Sequence, residues 1–382
     1  MNKSAATSEN YSPSISQSWL TFLESKGGEI VGGQRAIFPQ IQQEIPERYI
    51  IPCTQEAVIC FEGKDVESFL QNQLTCDIKN LEDNRFLFGA YCSPKGRVLT
   101  TLRLFPLNGT VYMVCHHSMV TPLLDRLKMF VFRADVTFYT CSDLAVMCLD
   151  EHTELGRFPI PSWRQSGPGW PKACYGDSES TQAVQLMVVP VPDAIELIEN
   201  TEGHIPLLDS DYWNLLQIRH GVVSITSSTT DLFTPQNLNL DLISGVSFTK
   251  GCYPGQEIVA RLRYLGRVKQ RLLRGKLQGD HDLRVGQPVI LANATDNKSG
   301  VIVNASALAG VTTECLLSVY DFLGTENVYC YKDQPSGFNQ AQLRTRVCLN
   351  RTQSTLNINH LGVQPVISLS QFLILLCQLV QC

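Results

Sequence analysis

Lys250-Gly251-Cys252-Tyr253-Pro254-Gly255-Gln256-Glu257, running straight into Ile258-Val259-Ala260-Arg261, is the stretch around which the chain is organised. Pro254-Gly255 suits the centre of a type II turn, because proline pre-sets its own φ and glycine supplies a positive one. Ile258, Val259 and Leu262 then recur at the spacing of one helical face. Cys252 falls in a bend before that helix, near unpaired N–H groups and the positive end of the helix dipole. Such neighbours, with Lys250, are of the kind that lower a thiol's pKa. The plain alternative is that Cys252 is one buried apolar cysteine among fourteen.

Other segments add to this stretch. Thr234-Pro235-Gln236-Asn237-Leu238-Asn239-Leu240-Asp241 and Gly245-Val246-Ser247-Phe248 precede it. Phe69-Leu70-Gln71-Asn72-Gln73-Leu74-Thr75-Cys76-Asp77 and Ser93-Pro94-Lys95-Gly96-Arg97 lie further upstream. Together these resemble the motifs of the YgfZ family, folate-binding proteins related to the T protein of glycine cleavage, over roughly residues 58–303. The resemblance implies an α+β, T-protein-like fold of α/β subdomains with a small C-terminal β-barrel. Its divisions would be a flexible extension over 1–45, a folate-binding domain over 46–270, the barrel over 271–325 and an atypical tail over 326–382.

At 382 residues the chain is long enough for a large core and two or three domains. A composition of 44% hydrophobic and 18% charged residues is that of a globular protein. The net charge of −5 supplies no global attraction to nucleic acid, so any such attraction is local. No C-x-x-C pair and no zinc-finger spacing occurs among the cysteines, which argues against a structural metal. The polar first twenty residues carry neither a secretory signal nor an Arg-rich transit peptide, so a cytoplasmic protein with reduced thiols is expected. Residues 366–380 are apolar but too short and too polar for a convincing membrane span, and no membrane partner is expected.

Along the chain, residues 19–43 read as a short helix and a Gly-rich connection. A strand follows at 57–61, then a helix capped by Asp65. Asn108-Gly109 joins strands at 98–105 and 111–115 as a hairpin, and Ser118 to Phe132 has helical spacing. His116 and His117 fall on a strand, where side chains alternate in direction. Residues 155–182, with Trp163 and Trp170, read as a surface loop. Asp209 or Ser210 caps a helix that ends at Gly221. From Leu272 onward short β-runs take over.

Between 250 and 276 lie Lys250, Arg261, Arg263, Arg267, Lys269, Arg271, Arg274 and Lys276 against the single acid Glu257. This run is either a local positive field, for the polyglutamate end of a folate or for RNA phosphate, or the solvated face of a strand.

The resemblance carries further expectations. The T protein transfers an aminomethyl carbon using paired aspartates where this chain has Thr100 and Thr101, which cannot carry charge. Relatives have a glutamate at the position of Arg219, which only donates hydrogen bonds. These departures count against aminomethyl transfer and against the usual pterin contact, while the family resemblance implies tetrahydrofolate as cofactor and a role in assembly or repair of iron–sulfur proteins, including radical enzymes that methylthiolate tRNA. Cys252, Lys250, Gln256 and Glu257 are the candidate working groups. Trp213, Arg219, Tyr253, Arg261 and Lys269 are the candidate folate contacts; no metal ligand is assigned. Two alternatives stand beside this: a folate-dependent one-carbon transferase with Asp77 as surrogate carboxylate, and a tRNA-binding module using the basic run without catalysis.

Overall fold

The computed structural model describes residues 15–38, 45–83, 85–150, 172–175, 184–278, 282–291, 300–308, 312–320, 327–330 and 345–346. Trp163, Trp170 and the apolar stretch 366–380 lie outside these residues.

Helix α1 (Gln17–Ser25) leads into a hairpin of β1 (Glu29–Val31) and β2 (Arg35–Ile37). The Gly-rich connection is thus a pair of strands turning at Gly32-Gly33, both at positive φ. Then come β3 (Ile50–Pro52), β4 (Glu56–Glu62), α2 (Val66–Gln71), β5 (Leu87–Cys92), β6 (Val98–Leu107) and β7 (Thr110–His116). They are followed by α3 (Val120–Val131), β8 (Thr137–Thr140), β9 (Leu144–Asp150), β10 (Lys172–Tyr175) and β11 (Val184–Pro190). Helices α4 (Val191–Thr201), α5 (Ser210–His220) and α6 (Gln256–Tyr264) precede the last strands. These are β12 (Gln270–Gln278), β13 (Pro288–Leu291), β14 (Gly300–Leu308), β15 (Thr312–Tyr320), β16 (Asn327–Cys330) and β17 (Thr345–Arg346).

Three larger sheets result, ordered β5-β6-β7-β4-β8, β10-β11-β9-β3 and β12-β15-β14-β13-β16-β17. The first closes its β6–β7 hairpin through Asn108 (φ 52) and Gly109 (φ 79), the conformation that Asn-Gly favours. Its inward face packs Ile59, Phe61 and Met113 on Leu70 of α2 and on Leu124 and Leu127 of α3. On the other face Val58, Phe105 and Val114 meet Val146, Cys148 and Leu186 of the second sheet, with Trp213 and Leu216 of α5 between. A further core joins Ala90, Cys92 and Val98 to Ile218, Val259, Leu272 and Leu316, so α6 and the third sheet lie against the far end of the first.

Several local expectations are corrected. Lys172–Tyr175, read as loop, pairs with Val184–Met187 as an edge strand. Asp65 and Asp209 stand at their N-cap positions without capping through their side chains. They instead accept from the backbone N–H groups of Asp135 and Phe38, tying the helix starts to distant segments. The rings of His116 and His117 do not diverge but lie 4.4 Å apart, because a 3-10 turn over His117–Met119 ends the strand alternation between them.

Candidate functional site

The turn at residues 253–256 forms as the sequence predicts: Gly255 adopts φ 81, ψ 3, and the N–H of Gln256 donates to the Tyr253 carbonyl at 3.1 Å. What it packs on is not local. A Cβ on Gly255 would come within 2.5 Å of the Ser93 carbonyl oxygen and 2.6 Å of Gly96. One on Gly96, itself at φ +68, would meet Ile258 at 2.8 Å. The two motif turns are thus seated back to back, with glycine required on both sides.

Thr75 binds the third motif. Its hydroxyl donates to the Gly245 carbonyl at 2.6 Å and accepts from the N–H of Ala90 at 2.9 Å, while its carbonyl accepts from Ser247 at 2.8 Å. Residues 234–241 complete the frame. The Gln236 amide donates to the Val259 carbonyl of α6 at 2.7 Å, and Asn239 to the Leu272 carbonyl at 3.1 Å. Five motif segments, two near residues 69–97 and three within 234–261, therefore meet at one place, held mostly by side chain to main chain bonds. Sequence reasoning did not single out Thr75, because one threonine among the polar residues Gln71, Asn72, Gln73 and Asp77 of its motif carries no distinguishing signal.

Cys252 sits on the outer rim of this frame and is exposed, whereas Cys53, Cys60, Cys76, Cys92, Cys115, Cys148 and Cys315 are buried and Cys141 is half-buried. Burial raises the pKa of Cys53, Cys60, Cys76, Cys92, Cys115, Cys141 and Cys148, with Cys76 and Cys141 pushed up to about 12, so these thiols stay protonated. Lys250 does not act as expected. Its ammonium turns inward and donates to the carbonyls of Leu74 and Cys76, each at 2.7 Å, over the face of the buried Tyr253 ring. Burial lowers its pKa to about 8, opposed in part by the nearby Asp77 carboxylate. It is a clip between two motifs rather than an activator of Cys252. The Gln256 amide reaches back to the Lys250 carbonyl at 3.4 Å, and Glu257 pairs with Arg261 at 3.1 Å on the exposed side of α6.

The basic run is likewise divided. Arg271 is buried and bidentate to Asp241, at 2.6 and 3.1 Å, and also donates to the Gln236 carbonyl. Arg274 donates to the Arg219 carbonyl. Arg261, Arg263, Arg267 and Lys269 face outward, as do Tyr264 and Leu265.

A tRNA-modifying protein YgfZ from Colwellia psychrerythraea is 31% identical over 237 residues, which cover 60% of this chain and 72% of the relative. The chain belongs to the YgfZ family. A protein of the same name from Sodalis glossinidius is 29% identical over 288 residues, 69% of this chain and 86% of its own. No family model matches the chain. Among solved structures, the glycine cleavage system aminomethyltransferase T of Bartonella henselae superposes with a TM-score of 0.63 at 14% identity. That match covers 82% of this chain and 92% of the other, so the α+β, T-protein-like fold is shared.

Within this YgfZ-family chain, two of the residues expected to hold folate, Trp213 and Arg219, are occupied by internal partners, whereas the buried Tyr253 hydroxyl has no hydrogen-bond partner among the described residues and Lys269 is exposed. Trp213 is buried and its indole N–H donates to Glu56 Oε1 at 2.8 Å, an oxygen that also accepts from Gln217 at 3.2 Å and lies 3.6 Å from the Arg103 guanidinium. Arg103 stacks 5.4 Å from the Trp213 ring. Arg219 donates twice to Glu314 Oε1, at 3.0 and 2.8 Å, bracing α5 on β15. Glu56 Oε2 is buried without a hydrogen-bond partner, and the cleft it lines with Thr54 and His117 holds about 30 Å³, room for one or two waters. As placed, the Trp213 indole N–H and the Arg219 Nε and Nη2 are engaged inside the protein rather than turned to a pterin. Thr101, at the T-protein aspartate position, donates to the Val223 carbonyl and accepts from the N–H of Ile225. Asp77 accepts from Gln71 and from the N–H of Lys79, so the surrogate carboxylate is a local cap. Among the described residues no helix is long and apolar enough to cross a membrane, and no three His, Cys, Asp or Glu side chains cluster as metal ligands.

Proposed function

We propose that this protein supports tRNA modification by sustaining iron–sulfur enzymes, and that the exposed thiol of Cys252 is its working group. The observation that carries this is the contrast between Cys252 and the buried thiols whose pKa burial raises: its accessible sulfur stands on a loop pinned by Lys250, Thr75 and the paired glycines. A fixed, accessible thiol can ligate or attack; a buried one with a raised pKa cannot. The name shared by the relatives supports tRNA modification as the process. The clients would be iron–sulfur proteins such as the radical enzymes that methylthiolate tRNA, in the cytoplasm where thiols remain reduced.

Tetrahydrofolate enters through the family and the shared fold, and no step is routed through it, because Trp213 and Arg219 are engaged elsewhere. Lys250 and Gln256 serve as positioning residues for the loop, and Glu257 and Arg261 as a surface pair. Aminomethyl transfer is disfavoured, since Thr100 and Thr101 bring no charge and both hydroxyls are spent on main-chain carbonyls.

The test is complementation in cells lacking the native protein, comparing wild type with Cys252→Ala and Cys252→Ser. Loss of an iron–sulfur enzyme activity and of methylthio-tRNA in both variants, with unchanged folding and unchanged folate titration, is the expected result. Full rescue by Cys252→Ala would overturn the role of the thiol.

A further inference from the structure

The outward half of the basic run carries an arrangement that a merely solvated face does not need. At the C-terminal end of α6 Tyr264 is 66% exposed and the next residue, Leu265, 86% exposed. Tyr264 stands edge-on to Phe248 at 6.1 Å, and the Arg263 guanidinium lies 4.9 Å over the Phe248 ring. The two rings meet edge to face and the cation sits on Phe248, while much of Tyr264 remains open to solvent. Arg261, Arg267 and Lys269 are exposed around them, and no acidic residue occurs from 258 to 279.

An aromatic plane interleaved with cations, on a protein whose net charge is −5, complements a partner that presents flat π-faces on an anionic backbone. A folded acidic protein complements the cations but does not require a pre-oriented ring. Duplex RNA hides its base faces, so an unpaired strand fits best. Phe248 is four positions before Cys252, and α6 is nine residues long, about 13 Å. Because Phe248 contacts Tyr264, the loop bearing Cys252 runs back beside the helix.

We propose that Tyr264, with Phe248 and Arg263 behind it, is a stacking platform for an unpaired base of RNA, with Arg267 and Lys269 on the flanking phosphates. This deepens the tRNA role proposed above, on which it rests for the identity of the RNA, by assigning the surface that meets it. The platform presents the neighbouring nucleotides to the side of the molecule that carries Cys252.

The test titrates the full chain with a short labelled single-stranded RNA and with the same sequence as a duplex, at about 50 and about 200 mM salt. Tyr264→Ala is expected to weaken single-strand binding by about five- to a hundredfold with little change in salt dependence, and Tyr264→Phe to retain it. Lys269→Ala is expected to lower the slope of log affinity against log salt by about 0.7. Cys252→Ala is expected to bind as wild type, so failure of the thiol's role and failure of the platform are read separately. Unchanged binding by Tyr264→Ala, equal affinity for the duplex, or no RNA binding at the lower salt each overturns the proposal; the last leaves the surface to an acidic protein.

Discussion

Arg267 and Arg271 are four positions apart in one basic run, yet they belong to different parts of the molecule in every physical sense. Arg271 lies inside, bidentate to an Asp241 whose side chain is 2% exposed, and it closes the frame behind α6. Arg267 lies outside, next to exposed Leu265 and Tyr264. Lys250 and Arg274 follow Arg271; Arg261, Arg263 and Lys269 follow Arg267. The inward set fixes where the Cys252 loop stands, and the outward set presents charge to solvent. A run of one sign of charge is therefore two devices, and charge density along the sequence does not separate them.

The sharpest way to break this comparison is Arg271→Ala. Removing one partner of a buried ion pair strands Asp241, and urea denaturation should show a loss of about 3–5 kcal/mol. A loss below about 1 kcal/mol would put Arg271 with the outward set. Gly255→Ala addresses the turn between the two sets. It forces a Cβ at φ +81 to within 2.5 Å of the Ser93 carbonyl, so the expected cost is about 2–3 kcal/mol by the same measurement. Tolerance of that variant would mean that the two motif turns are not rigidly seated.

A smaller effect comes from Lys250 and depends on pH. Its pKa is lowered by burial from 10.5 to about 8, so between those values the unfolded chain holds the proton more tightly than the folded one. Stability contributed at this site therefore rises with pH through that window. Lys250→Met removes the rise, and urea midpoints at both ends of the window, taken as the difference between variant and wild type, cancel the opposite trend of the buried cysteines. The expected difference is on the order of 1 kcal/mol. Least of all, Arg267→Ala should change stability by less than about 0.5 kcal/mol. A larger loss would show that the outward set is structural too.

Much of the architecture was legible because it rests on local rules. Asn108-Gly109 closes its hairpin, Gly221 ends α5 in the left-handed conformation at φ 67, and Pro254-Gly255 makes its turn. Wrong or incomplete expectations came where a polar side chain chooses a distant partner. Asp65 and Asp209 reach other segments, the rings of His116 and His117 lie against each other at the start of a 3-10 turn, and Lys172–Tyr175 becomes a strand through its neighbour β11. Glu56, Arg103 and Glu314 passed unremarked because a charged residue on a strand reads as solvent-facing, and only packing of α5 shows them buried and paired.

By itself, the sequence determined the family, the type of fold and the segments that make the candidate site, since motif spacing, turn chemistry and hydrophobic period are all local. Tertiary structure alone decided that those segments meet, that Cys252 faces out, and that Lys250 faces in toward Leu74 and Cys76. The physical reason is that exposure and hydrogen-bond partners belong to pairs of residues far apart in the chain. A lysine has the same intrinsic chemistry wherever it stands, and burial or an acceptor brought from 174 positions away decides what that chemistry does.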